Sequence, residues 1–313
     1  MFTGLLLTIF TVVQLNCENM FDCTHDSLKD DTEFLPSAVR HYTQKRYWDK
    51  LNKISKEIIW CGCDDKEFHL PDIVTLCEVE NDSVLTYLTK RSSLRKVRYN
   101  YLMTASPDIR GIDVALLYNP LTFLPLHHHS IRIEPLPGKR PTRDILYVKG
   151  MTNSNDTLHI FVVHMPSKYG GTRSTNPYRC HVAQHLCHAV DSLRALGMDD
   201  NIIITGDFND EASSEPLMMI SDKNLNNISV NAKGSYGAEA TYKYKGRWGS
   251  IDHIFVSDNM LHSLKRCEVK DAPFLLENDK TYGGLCPRRF WRGYRYNKGY
   301  SDHLPLLAVF DVQ

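Results

Sequence analysis

Asn16, Glu78, His164, Asp207, Asn209, Asp252 and His303 are the side chains of this sequence best suited to act together chemically. Asn16 and Glu78 offer hard oxygen atoms of the kind that magnesium and manganese accept, with water and substrate filling the remaining positions. Asp207 is a candidate general base, able to take a proton from an attacking water. Asn209, two residues on and on the same side of an extended chain, would orient that water or donate to an oxygen of the substrate. His164 and His303 carry the one side chain that titrates unperturbed near neutral pH.

The elements that must position these residues are strands. Apolar runs of strand length precede Asn16 (residues 10–15), Glu78 (72–77), His164 (158–163) and Asp207 (201–206). Strand ends that converge on one sheet edge are where α/β proteins assemble sites. A helical period covers residues 38–60, and a short helix is expected at 82–89. Strands are expected at 98–103, 112–118, 123–134, 144–151 and 157–165, the last two joined by an Asn-Ser-Asn-Asp turn at 153–156. A second helix carries Val182, Leu186, Val190 and Leu193 on one face and stops at Gly197; Ser213-Ser214-Glu215-Pro216 reads as another helix start. Strands recur at 202–207, 250–257 and 304–312. Residues 258–300 lack periodicity and read as loops. Paired strands among a few helices predict a layered α/β fold of two sheets packed face to face, in a single domain spanning residues 1–313.

The composition excludes a strong global field. Lysine plus arginine equals aspartate plus glutamate at 37 each, so any anionic substrate needs a local patch. The nine cysteines are scattered without paired C-x-x-C blocks, which favours a reducing, cytoplasmic setting. The apolar start lacks a basic leader and runs into Asn16, so it reads as the first strand rather than a signal peptide, and it is too short to span a bilayer.

Six motifs occur in one order: Asn16-Cys17-Glu18-Asn19, the strand ending in Glu78, His164-Met165-Pro166-Ser167, Gly206-Asp207-Phe208-Asn209-Asp210, Ser250-Ile251-Asp252-His253 and Ser301-Asp302-His303. Gly-Asp-x-Asn alone could be a simple turn. Together the six resemble the endonuclease/exonuclease/phosphatase superfamily, metal-dependent phosphoesterases with the pancreatic-deoxyribonuclease-type fold. The resemblance runs from Asn16 to His303. It implies a four-layer α/β sandwich of two mixed sheets flanked by helices, a magnesium or manganese ion, and hydrolysis of a phosphate ester. It further implies that His303 pairs with Asp252 and contacts the scissile phosphate, that Asp302 faces the metal beside Asn16 and Glu78, and that His164 is a second phosphate contact or the general acid. Glu18 is a candidate acid behind the metal ligands. Arg179, by the same pattern, braces the site or contacts substrate.

Substrate choice rests on one further stretch. Arg288, Arg289, Trp291, Arg292 and Arg295 interleave cations with an aromatic just before the last motif, which could grip a nucleic-acid backbone and stack a base. Metal-dependent cleavage of a DNA or RNA phosphodiester is the leading expectation; hydrolysis of a small-molecule or lipid-headgroup phosphate ester is the alternative. A non-catalytic binding module on this fold would have been signalled by loss of Asp207, Asn209 or His303. His181, His185 and His188 have helical spacing but no companion ligand, and His127-His128-His129 alternate faces of a strand, so the three cannot share one site.

Overall fold

A computed structural model of the protein describes residues 8–63, 68–198 and 200–312. Residues 1–7, the start of the apolar N-terminal run, lie outside the described residues. In chain order the elements are β1 (Thr8–Met20), α1 (Gln44–Cys61), β2 (Ile73–Val79), α2 (Asp82–Lys90), β3 (Asn100–Met103), β4 (Asp113–Tyr118), β5 (Phe123–Ile131), β6 (Ile145–Thr152), β7 (Thr157–His164), α3 (Thr172–Ala195), β8 (Ile202–Asp207), α4 (Glu215–Ser221) and β9 (Leu225–Asn227). There follow β10 (Tyr242–Tyr244), β11 (Arg247–Gly249), β12 (Asp252–Ser257), α5 (Asp258–Ser263), β13 (Leu264–Val269), β14 (Leu276–Asn278), β15 (Leu285–Pro287), β16 (Trp291–Arg292), β17 (Arg295–Tyr296) and β18 (Leu306–Val312).

Two six-stranded mixed sheets dominate, in the orders β13-β18-β1-β2-β4-β3 and β5-β6-β7-β8-β12-β9. Each contains one parallel pair, β1 with β2 and β7 with β8, among antiparallel neighbours. Because strand side chains alternate, each sheet buries both faces. Phe10 and Val12 point into the apolar layer between the sheets, while Val13 and Leu15 point outward against α1 and α2. On the second sheet Ile160 and Val162 face inward, and Phe161 and Val163 pack against α3 and α4. Three apolar layers separate four layers of structure, the α/β sandwich that the motif order implied.

Polar side chains also cross the inter-sheet layer. Thr75 Oγ1 lies 2.7 Å from Gln14 Oε1 on the neighbouring strand and 3.3 Å from Thr205 Oγ1 on the opposite sheet. These contacts fix one sheet against the other near the end where Asn16 and Asp207 emerge.

Two expectations are corrected. The first helix begins at Gln44 rather than residue 38, because His41 takes a left-handed backbone (φ 46°) and Thr43 is extended. The region 258–300, expected as loops, contains α5, four short strands that pair into two hairpins (β14 with β15, β16 with β17), and β13, an edge strand of the first sheet. Its sequence Leu-Lys-Arg-Cys-Glu-Val shows little alternation because most of the strand is only partly covered.

Candidate active site

Each candidate side chain is delivered by a strand end, and local backbone irregularities aim it. β1 bulges beyond Asn16, where Glu18 and Asn19 are both left-handed (φ 51° and 55°). β2 bulges at Glu78 (φ 62°), which swings its carboxylate to accept a hydrogen bond from the Asn19 amide at 2.8 Å. β7 and β8 end side by side, with His164 the register partner of Asp207. Gly206 permits that closeness: a Cβ there would collide with the Val163 carbonyl. Ser301 ties the final motif to the first strand by donating to the Asn16 carbonyl at 2.6 Å.

Asp207 is the hub of the cluster. Its Oδ2 accepts from Asn16 Nδ2 at 2.9 Å and lies 3.6 Å from His164 Nε2 and 4.0 Å from His303 Nε2. Its Oδ1 accepts from the Asn209 amide at 2.8 Å. His303 Nδ1 stands 2.7 Å from Asp252 Oδ2, which also accepts from Thr241 Oγ1 at 2.6 Å. Asp207, His164, Asp252 and His303 are all buried.

Burial and neighbouring charges together set the protonation states apart. Burial pushes the Asp207 carboxyl up to about 7, with Asp252 adding to the rise and His303 opposing it. Burial works against a charged His303, yet Asp252, Asp207 and Asp302 together hold its pKa well above the usual imidazole value. Burial, Arg143, Arg110 and His303 push His164 well below that value. The site thus pairs a neutral imidazole with a charged one around a carboxyl poised near neutrality, an arrangement suited to proton transfer.

The donor set fits a hard divalent cation. Glu78 Oε1 lies 3.9 Å from His164 Nε2, and Asp252 Oδ1 is buried without a hydrogen bond among the described residues. Among the described residues Asp207, Asp252 and His303 also place their ligating atoms within 4.8 Å of one another. Within that trio His303 and Asp252 are also hydrogen-bonded to each other.

Other expected residues fall differently. Asn209 does not continue an extended chain: its backbone is left-handed (φ 51°) and its amide Nδ2 donates to the Met165 carbonyl at 3.0 Å. Asp302 pairs with Arg289 at 2.7 Å. Arg179 is fully buried and pairs with Asp210 at 2.9 Å, in the loop after Asp207. Trp291 corrects the expected stacking platform. It is 4% exposed, packed beside Phe290, Tyr42 and Tyr296, with the Arg40 guanidinium over its ring, so no face is free for a base. Arg292 pairs with Glu277 at 2.9 Å; Arg288 is half-buried and Arg295 exposed.

Glu18 explains this packing. Its two carboxylate oxygens accept from the Phe290 amide at 2.5 Å and the Trp291 amide at 2.9 Å, clamping the basic–aromatic segment to the end of β1. Sequence reasoning missed Thr241, Tyr242, whose ring lies 4.8 Å from that of His303, and Arg143, which donates to Asp108 and the Met165 carbonyl. Nothing in their spacing marks them; each is recruited by tertiary contact.

A mixed two-sheet sandwich with carboxylates and imidazoles converging at the strand ends defines a phosphoesterase architecture. The model of the Endonuclease/Exonuclease/phosphatase family matches residues 11–311, and the chain belongs to that family. Solved structures share its fold at low identity. An endonuclease/exonuclease/phosphatase family protein from Bacteroides thetaiotaomicron is 18% identical with a TM-score of 0.63, over 98% of this chain and 100% of that one. A mannosyl-6-phosphatase from the same organism is 16% identical (TM-score 0.62; 96% and 98% covered). The human Nocturnin catalytic domain with bound sulfate is 18% identical (TM-score 0.59; 97% and 95% covered). No curated protein matches the chain. Among the described residues no helix is long and apolar enough to cross a membrane.

Proposed function

We propose that this protein is a magnesium- or manganese-dependent hydrolase of phosphate esters, with Asp207 as general base. The observation that carries the reading is the Asp207–His303–Asp252 array, in which burial raises the base to about 7 while the flanking carboxylates keep His303 charged. Asp207 would take the proton of the attacking water, and His303, oriented by Asp252, would donate to a phosphoryl oxygen. His164, neutral and facing Asp207, supports a second contact to the same group. Asn16, Glu78 and Asp302 would hold the cation, which when bound would draw negative charge from the phosphoryl oxygens. The pairing of β18 with β1 supports reading the whole chain as one catalytic domain, and nine free thiols support a cytoplasmic setting.

For the substrate, the burial of Trp291 and the ion pairs of Arg289 and Arg292 favour a small or terminal phosphate ester over a nucleic-acid backbone. A mannosyl-6-phosphatase built on the same fold supports a sugar phosphate as a substrate to test. Nucleic acid remains the second reading, carried by Arg295 and Arg288. The test is a turnover panel with magnesium that compares sugar phosphates, a generic phosphodiester, abasic duplex and RNA, each with and without a chelator. Turnover of a sugar phosphate at least about tenfold above any oligonucleotide, abolished by chelation, is expected. Preferred oligonucleotide cleavage, with affinity falling steeply against salt, would reverse the substrate order. Full activity in chelator would overturn the metal.

A further inference from the structure

A cavity of about 630 Å³ opens between the second sheet and α3, lined among others by His127, His129, Tyr147, Lys149, His185 and His188. None of the candidate catalytic side chains lines it. His127 and His129 are the register partners of Lys149 and Tyr147 across the β5–β6 pair, so all four project from the same face toward α3. His128, partnered with Val148, alternates to the other face. The sequence rule that neighbouring strand residues diverge therefore separates His128 and leaves the other two together.

His127 Nε2 and His129 Nδ1 are 3.2 Å apart. Two nitrogens bound at about 2.0–2.1 Å to one ion, at angles between square and tetrahedral, lie about 2.9–3.4 Å from each other. The observed separation, which is also that of a hydrogen bond between the two rings, falls inside that interval. Burial, then His127 and His128, lower the pKa of His129. His185 is likewise lowered, by burial and by His181 and His188. Among the described residues no third ligand is already drawn up to the pair, so the arrangement is a two-imidazole chelate facing a histidine-bearing helix.

We propose that His127 and His129 chelate a divalent transition-metal ion, at a site separate from the catalytic centre and selective for imidazole-seeking metals over magnesium. The site does not depend on the proposed hydrolase activity.

The test is a Cu²⁺ titration of tag-free protein in saturating magnesium, followed by calorimetry and by electron paramagnetic resonance. Wild-type protein is expected to bind one more equivalent of Cu²⁺ than the H127A/H129A double variant, with nitrogen hyperfine structure that the variant lacks. The H128A variant should keep the wild-type stoichiometry, because its ring lies on the other face. Thermal midpoints and magnesium-supported turnover should be the same in all three proteins. Equal Cu²⁺ stoichiometry in wild type and double variant, or loss of the equivalent in H128A, would overturn the proposal.

Discussion

Asp207 and Asp252 are direct register partners on the antiparallel strands β8 and β12, and both approach the imidazole of His303. Two carboxylates placed opposite each other repel. A charged imidazole between them offsets that repulsion, so the three groups form one electrostatic unit.

Removing parts of that unit should give losses that do not add. His303→Ala is expected to lower turnover by at least about a hundredfold, and Asp252→Asn somewhat less because the acid acts through the ring. The double variant should be scarcely worse than His303→Ala. Steady-state rates on the preferred ester check this, and simple additivity would mean that the pair is uncoupled.

Asp207→Asn keeps the size of the side chain and removes the proton acceptor. Turnover is expected to fall by at least about a hundredfold with KM nearly unchanged. A near-normal rate would place the base elsewhere.

Trp291→Ala should act on stability. A buried aromatic replaced by alanine costs about 3–5 kcal/mol, read as a lower urea midpoint. Oligonucleotide affinity should not change beyond what unfolding explains, since the ring is enclosed by Phe290, Tyr42 and Tyr296.

Arg179→Met leaves Asp210 buried with Lys168 as its remaining cation, 2.8 Å away. Breaking one side of a buried pair costs about 3–5 kcal/mol. Turnover should fall as well, since Asp210 belongs to the turn that carries Asp207 and Asn209. Unchanged stability would show that Lys168 alone satisfies the acid.

Glu57 on α1 gives a pH prediction. It is fully buried with neither carboxylate oxygen hydrogen-bonded, and burial pushes its pKa up to about 8 against the pull of Lys50, from an ordinary value of 4.5. The folded protein therefore holds this proton more tightly than the unfolded chain. The stability it contributes is full below about 4.5 and is lost as pH rises through about 8. Within that window the slope is up to about 1.4 kcal/mol per pH unit. Glu57→Gln should flatten the decline in urea stability between pH 5 and 9. Glu18 and Glu80, also raised to about 8 by burial, should leave part of it. An unaltered profile would show that Glu57 does not titrate there.

The strand ends were legible in the sequence because each buried run is continuous and stops at a polar residue. β8 ends at Asp207 and β7 at His164, where the apolar pattern stops. The left-handed turn at Glu78 was not legible, because glutamate gives no glycine-like signal, whereas Asn209 lies in a stretch whose residues favour turns. Trp291 was misread for a related reason: arginines around an aromatic look solvent-facing until a distant carboxylate, Glu18, claims the backbone beneath them. β13 escaped notice because an edge strand need not alternate, and Tyr242 because its partner lies far along the chain.

The Thr75–Thr205 contact has a consequence for how the enzyme would fail. Asn16 and Glu78 belong to one sheet, His164, Asp207 and Asp252 to the other, so the site exists only while the two sheets hold their relative position. A slip of about one ångström between them would part the donors while leaving every strand ladder intact. Catalysis would then serve as a vernier on the docking of two preformed layers, falling silent under mild denaturant before circular dichroism registers any loss of sheet.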